Sequence, residues 1–325
     1  MSHVERTHAD PRKWSTGNGP DALRLQKPDW VFFGGQLRPW EDAVLHVSSE
    51  AVVRGLNVFE GLKGYWQEDG RFGYVHLERH YARLSRSARL LHIEMPVTYE
   101  EFERACFELT RALYRPDKDL YVRATLFVVE GHYGEGTMAD LVLTGYQQDK
   151  DPPAPIDMGV STWRRPTDVA MPARIKTGSN YQVARLARIE GRSRSYEDMI
   201  LLNQSGRVAE STGACVLLVR DGHVFTPPAA EGALESITVD VVAELAASLA
   251  IEVTRRPIER SELYIADELG LAGTLSEITL VRSLDDVALA EERPILRTLA
   301  QRYRDAVMGI DAHPAAQIAM VPPSE

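Results

Sequence analysis

Past residue 150 this chain of 325 residues has almost no lysine: Lys176 stands alone in a stretch that carries 17 arginines. Cysteine is nearly as scarce, with two in the whole chain. Cys106 falls on the apolar stripe Phe102, Cys106, Leu109, Leu113 of an amphipathic helix, and Cys215 falls in a strand. Both therefore read as core residues rather than ligands or nucleophiles. No apolar run is long enough to span a bilayer. The opening Met1-Ser-His-Val-Glu-Arg-Thr-His8 is polar, without the apolar core of a secretory signal, which points to a cytoplasmic protein. A basic run is also missing, and a net charge of −10 argues against nucleic acid as a partner. His76 and His80 stand one helical turn apart, at metal-ligand spacing, but no third ligand is recognisable and no metal is expected.

A half-chain that meets its need for positive charge with arginine but keeps one lysine points to something arginine cannot do, which is to lose a proton. A neutral amine forms imines with carbonyls, whereas guanidinium stays charged. Composition alone leaves a solvated surface lysine open; the neighbouring residues argue otherwise. Met171-Pro-Ala-Arg-Ile-Lys176 is an apolar approach, Gly178 and Asn180 make a polar turn, and Val183, Leu186, Ala187 and Ile189 read as a helix. That order puts the amine at an element end facing a cleft.

Downstream, Met199–Leu202, Val208–Gly213, Cys215–Val219 and His223–Phe225 alternate with the turns Asn203–Gly206 and Asp221-Gly222, which predicts one antiparallel meander. Glu210 sits at its centre, and a carboxylate there needs a cationic partner. An imine-forming lysine and an acid in want of a positive charge together suggest pyridoxal phosphate: the lysine holds the aldehyde, and the acid keeps the ring nitrogen protonated.

The resemblance then becomes specific. Phe59-Glu-Gly61 with Lys63 and Tyr65, Arg83-Leu84, Lys176-Thr-Gly-Ser-Asn-Tyr181 and Val208-Ala-Glu-Ser-Thr-Gly213 occur in one order along the chain. They are followed by Phe225-Thr-Pro-Pro228, Leu234-Glu-Ser-Ile-Thr238 and Ala272-Gly-Thr-Leu-Ser-Glu-Ile-Thr279. The series resembles the fold-type IV pyridoxal-phosphate aminotransferases, most closely the branched-chain amino acid aminotransferases, over about residues 29 to 311. The resemblance implies a two-domain α/β (α+β) fold and a ping-pong exchange of an amino group between an L-amino acid, branched-chain or aromatic, and 2-oxoglutarate. It also implies a homodimer.

Residue by residue, Lys176 resembles the lysine that carries the cofactor and moves the proton at the substrate α-carbon. Tyr181 resembles the phenol at the cofactor's 3′ oxygen, and Glu210 the acid at its ring nitrogen. Arg83, Ile237, Thr238 and Thr274 fall where the family binds phosphate. Ser236-Ile-Thr238 also opens a predicted helix through Val241, Val242, Leu245 and Leu249, and helix N-termini bind phosphate well. Phe59, Tyr121, Arg123 and Leu275 fall at substrate positions, Tyr121 and the backbone after Thr274 at the α-carboxylate and Arg123 at the distal carboxylate of glutamate. Tyr121 and Arg123 alternate on one strand and so share a face. Arg54, Lys63, Cys215, Leu217 and Val239 depart from the family pattern around the site, which keeps a specialised biosynthetic aminotransferase, a D-amino acid aminotransferase and the aminodeoxychorismate lyase branch open as alternatives. A non-catalytic binding protein on the same fold is a further one, against which the intact Lys176, Tyr181 and Glu210 speak.

An apolar content of 44% in a chain this long suits two sizeable cores. Residues 1–28 read as a mobile tail, 29–146 as a small α/β domain with helices near 78–91 and 99–114, and 147–155, with three prolines, as the interdomain linker. Residues 156–311 read as the large cofactor-binding domain, and the Pro-rich 312–325 as a loose end.

Overall fold

A computed structural model describes residues 27–132 and 135–323, so most of the expected tail at 1–28 lies outside the described residues. The described residues begin with β1 (Trp30–Phe33), β2 (Gln36–Pro39) and the single turn α1 (Glu50–Val53), followed by β3 (Asn57–Trp66) and β4 (Phe72–Val75). Two amphipathic helices, α2 (Leu77–Leu90) and α3 (Tyr99–Leu113), precede the long strands β5 (Asp119–His132) and β6 (Glu135–Gln148). Thr98 and Glu101 form a reciprocal cap at the start of α3, and such a cap stabilises a helix by about 1 kcal/mol. One face of α3, from Phe102 through Cys106 and Leu109 to Leu113, is buried in a core shared with α2 and with Leu62, Leu120, Val122, Ala124 and Leu126 of the sheet.

β7 (Ile156–Arg164) opens the second half, with α4 (Tyr181–Ser193), β8 (Asp198–Leu202), β9 (Val208–Ser211), β10 (Cys215–Arg220) and β11 (His223–Thr226) after it. Then come α5 (Ile237–Ser248), β12 (Val253–Arg255), β13 (Glu268–Gly273), β14 (Glu277–Leu284), β15 (Val287–Ala288), α6 (Pro294–Val307) and β16 (Ile318–Met320). Its sheet runs β12-β11-β10-β13-β14-β7-β8-β9, with β15 paired to β14. In β10, Cys215, Leu217 and Val219 face the core under α5 and α6, while Val216 and Leu218 face the opposite core. A strand apolar at every position is the signature of a sheet covered on both sides.

Three sequence expectations are corrected. Residues 199–225 do not form one meander: β8–β9 and β10–β11 are separate hairpins, and β10 pairs with β13 rather than β9. The tight Ser211–Ala214 turn swings the chain across between them, with Ser211 Oγ accepting from the Gly213 and Ala214 N–H groups. α4 forms where Val183, Leu186, Ala187 and Ile189 predict a helix, but of these only Ala187 is buried, with Val183 packed beside it and Leu186 and Ile189 exposed; the buried face is Ala184, Ala187 and Gly191, because small residues let the helix lie close to the sheet.

The third correction concerns the C-terminal segment, which is not loose. β16 pairs with β4 as the edge of the first sheet, ordered β16-β4-β3-β5-β6-β1-β2. Its prolines, Pro314, Pro322 and Pro323, flank the three-residue strand and so remove none of its ladder bonds. Gly73 of β4 makes the room, since a Cβ there would overlap Ile318 Cγ2. Ala315 and Ala316 are buried, the His76 N–H donates to Gln317 O at 2.8 Å, and His76 Nε2 lies 2.6 Å from Ala315 O.

Deleting residues 315–325 strips partners from these His76 groups, and a buried polar group left unpaired costs roughly 1–3 kcal/mol. The truncated chain is therefore expected to unfold at lower urea, by about 3 kcal/mol in all; an unchanged midpoint in equilibrium unfolding would show that the strand adds nothing.

Candidate active site

Lys176 belongs to the second half of the chain but is fastened to the first. Pro166 and Pro172 keep the connection after β7 irregular until the turn at Gly178–Asn180 leads into α4. The Lys176 N–H donates to Ser87 Oγ of α2 at 3.1 Å, and its carbonyl accepts from the Phe59 N–H of β3 at 2.8 Å. Thr177 Oγ1 donates to Asn57 O at 2.5 Å, the Gly178 N–H to Asn57 Oδ1 at 3.1 Å, and Asn180 Nδ2 to Ile175 O at 2.8 Å. With its backbone so held, the root of the side chain is fixed. Nζ lies 2.8 Å from the Tyr181 phenol oxygen and 5.0 Å from the centre of the Phe59 ring.

That amine opens into a cavity of ≈ 620 Å³, within the range of small-molecule sites. One wall is the face of the first sheet. Gly61 opposes Arg123 and Lys63 opposes Tyr121 in the β3–β5 register, so the alternate residues Phe59, Gly61, Tyr121 and Arg123 share a side. Gly61 is required for this wall, because a Cβ there would stand 2.5 Å from the Tyr121 hydroxyl. The Arg123 guanidinium lies 3.8 Å from the centre of the Phe59 ring. α4 makes a second wall, and Thr212-Gly213 with the turn Thr274-Leu275-Ser276 a third. Phe59, Tyr121, Arg123, Lys176, Tyr181, Thr274 and Leu275, all singled out in the sequence, thus meet around one space.

The other four stand behind it. Glu210 on β9 accepts the Leu234 N–H at 2.9 Å through Oε2 and has Arg165 Nε 3.3 Å from Oε1. Burial pushes its carboxyl above the ordinary range, and the Arg165 charge, the Leu234 N–H and Lys176 only partly offset this. Ile237 and Thr238 open α5, where Ser236 Oγ caps the Val239 N–H at 3.2 Å, so the first-turn N–H groups collect at the helix end. Thr238 and Thr274 line one small void with Tyr65 and Tyr303.

Arg83 is buried, and its guanidinium donates twice to Glu60 and once to Glu235 O, each at 2.7 Å, which uses three of a guanidinium's five N–H groups. None of the five departing residues lines the cavity. Leu217 lies in the core, and Lys63 is buried against Glu277 at 2.5 Å and Asp119 at 3.6 Å.

A backbone-clamped amine beside a phenol lines the cavity, and a carboxylate whose charge burial disfavours and a helix N-terminus stand behind it; comparison with known proteins adds the family. The family model for amino-transferase class IV matches residues 57–284. The chain belongs to that family. It is 33% identical over 292 residues to the branched-chain-amino-acid aminotransferase of Escherichia coli K12, covering 86% of this chain and 94% of that one. The solved branched-chain aminotransferase from the archaeon Thermoproteus uzoniensis with norvaline superposes with a TM-score of 0.85 at 31% identity, over 91% of this chain and all of that one. Another solved branched-chain amino acid aminotransferase, complexed with N-(5′-phosphopyridoxyl)-L-glutamate, gives 0.84 at 28%, over 89% and 97%. The fold is that of the fold-type IV aminotransferases, and the protein is an aminotransferase.

Two residues of this aminotransferase beside the site are not among the residues that the sequence singles out, although Glu60 lies within the string Phe59-Glu-Gly61. Arg165, which faces Glu210, is anchored by donating to Gly232 O at 3.2 Å and Asn180 O at 3.1 Å. Glu60 is wholly buried and holds Arg83 in a two-pronged pair. His80 Nδ1 lies 2.8 Å from Glu60 Oε2, and since a carboxylate only accepts, the proton sits on Nδ1. Burial alone would raise the Glu60 carboxyl, but the Arg83 charge and hydrogen bonds, with His80 adding to them, outweigh it and hold the group at about 2.

A depressed carboxyl stabilises the fold above its ordinary pKa of 4.5 and loses that contribution as pH falls towards about 2. Glu60→Gln is expected to be less stable at neutral pH by about 3 kcal/mol, through the half-paired Arg83, and to show a flatter acid limb. Melting temperatures of both proteins across that pH window check it; parallel acid limbs would remove Glu60 from the account.

Proposed function

We propose that the cavity holds pyridoxal phosphate and exchanges the amino group of an L-amino acid, branched-chain or aromatic, with 2-oxoglutarate in two half-reactions. The observation that carries this reading is the Lys176 amine, 2.8 Å from the Tyr181 phenol at the cavity wall. The donor set suits the cofactor: an amine for its aldehyde, a phenol, a carboxylate for its ring nitrogen and helix-end N–H groups for its phosphate. When bound, the cofactor supplies a carbonyl that captures amines and a ring that accepts electrons.

The chain's residues do the rest. Lys176 Nζ takes the proton from the substrate α-carbon and returns it on the other side of the exchange, and Tyr181 orients that amine by its hydrogen bond. Glu210 holds a proton on the nitrogen it faces; its own charge, disfavoured by burial, is then matched. The Ile237 and Thr238 N–H groups, Thr274 and the Arg83 guanidinium hold phosphate. Tyr121 and the backbone at Leu275 hold the α-carboxylate, Phe59 flanks an apolar side chain, and Arg123 meets a distal carboxylate. Relatives solved with norvaline and with a glutamate adduct support one pocket for both kinds of ligand. The same reading includes a homodimer, since Val44, Val47, Val52 and Val53 form an exposed apolar stretch that a second copy would cover.

Two experiments test it. Borohydride reduction of the cofactor-loaded protein is expected to fix a pyridoxyl group on Lys176, read by peptide mass, and Lys176→Ala to abolish both this label and amino transfer. Labelling elsewhere, or full activity of the variant, would overturn the assignment. Arg123→Met is expected to weaken the half-reaction with 2-oxoglutarate by about 1 kcal/mol, the scale of an ion pair at an exposed guanidinium, and to spare that with leucine. Equal losses in both, followed separately by cofactor absorbance, would mean that Arg123 only supports the strand.

A further inference from the structure

α4 presents to the cavity a stripe that amphipathic helices ordinarily make apolar. Arg185, Arg188, Ile189 and Arg192, spaced i, i+3, i+4 and i+7, line the same space as Lys176. With Arg123 and Lys176 they bring five basic side chains to that wall against one carboxylate, Asp198, in a chain whose net charge is −10. Asp198 compensates little. It lies 3.9 Å from Arg188, which donates to Thr212 Oγ1 at 2.7 Å. Arg185 and Arg192 have no ion-pair partner among the described residues. At about 1.5 Å of rise per residue, the three arginines stand roughly 6, 10 and 16 Å along the helix from Tyr181. They form a graded row of cations that ends beside the reactive amine. A cleft lined by one sign of charge concentrates ligands of the opposite sign and speeds their capture.

We propose that this stripe is a second anion-recognition arm, distinct from Arg123, through which the aminotransferase favours, as amino acceptors, 2-oxo acids carrying a second anionic group, carboxylate or phosphate, beyond the α-carboxylate. The inference rests on the aminotransferase reading of this cavity. Arg185, the nearest of the row, meets the second group, while Arg188 and Arg192 draw the dianion in.

The test compares wild type with Arg185→Gln/Arg192→Gln, both saturated with pyridoxal phosphate and with Arg123 intact. Acceptors are the dianions 2-oxoglutarate and 2-oxoadipate, a 2-oxo-4-phosphonobutyrate arm that separates phosphate-type from carboxylate recognition, and the monoanion 2-oxohexanoate. The kcat/KM ratio of dianion to monoanion is expected to fall about tenfold in the variant, carried by KM. The wild-type ratio should also decline with added salt more steeply than the variant's. A ratio unchanged within twofold overturns the proposal, as does a change in oligomeric mass, which would assign the stripe to a subunit contact. Calorimetric binding of unreactive glutarate against butyrate keeps the two readings apart. If wild type transfers no amino group, the aminotransferase reading fails, and loss of glutarate binding in the variant still decides the role of α4.

Discussion

A fully buried ion pair, Glu60 with Arg83, ties together the parts of this molecule that must meet at the site. Glu60 lies on β3, Arg83 on α2, and the third arm of the guanidinium reaches Glu235 O, one residue before the cap of α5. Taking two charges out of water costs several kcal/mol each, and the cost is recovered only when geometry is good and the remaining hydrogen-bonding capacity is met. Here the carboxylate's capacity is met by two parallel N–H···O bonds and by His80, and a third guanidinium N–H is taken by Glu235 O. One interaction therefore sets where the first sheet, its covering helix and the start of α5 stand relative to one another.

The placement of Lys176 follows the same plan. The residue comes from the connection between β7 and α4, yet its N–H and carbonyl are taken by Ser87 and Phe59 of the first half. A flexible side chain needs a fixed root to put an amine at a defined point. Gly61 does comparable service on the opposite wall, where the absence of a side chain admits the Tyr121 ring. The return of β16 to the first sheet adds another tie between the halves, after α6 has closed the second core.

Electrostatics divide the molecule sharply. A chain with ten net negative charges gathers Arg185, Arg188 and Arg192 along one face of one helix, Arg185 and Arg192 without an ion-pair partner among the described residues, and aims them at one cavity, while the buried cations Lys63 and Arg83 and the half-buried Arg304 are matched by carboxylates. Matched pairs inside the fold hold geometry; unmatched cations at a cleft act on what enters it.

Local chemistry made much of this legible in advance. The lone lysine, the turn and helix after it, the Ser236 cap, the α3 stripe and the alternation that puts Tyr121 beside Arg123 are all properties of residues close in sequence, where 3.6- and 2-residue periods govern direction. The apolar runs around Glu210 were readable as strands, but not their partners: β10 turns away from β9 to pair with β13, because pairing is settled by which faces can be buried together. Arg165 against Glu210, Glu60 against Arg83 and β16 against β4 bring together residues tens to hundreds of positions apart, and no spacing rule encodes such contacts. The sequence by itself determined which side chains could do the chemistry and which family they belong to. The tertiary structure alone decided which charges are paired and which face the cavity, because pairing and burial depend on distances that only the packed sheets and helices create.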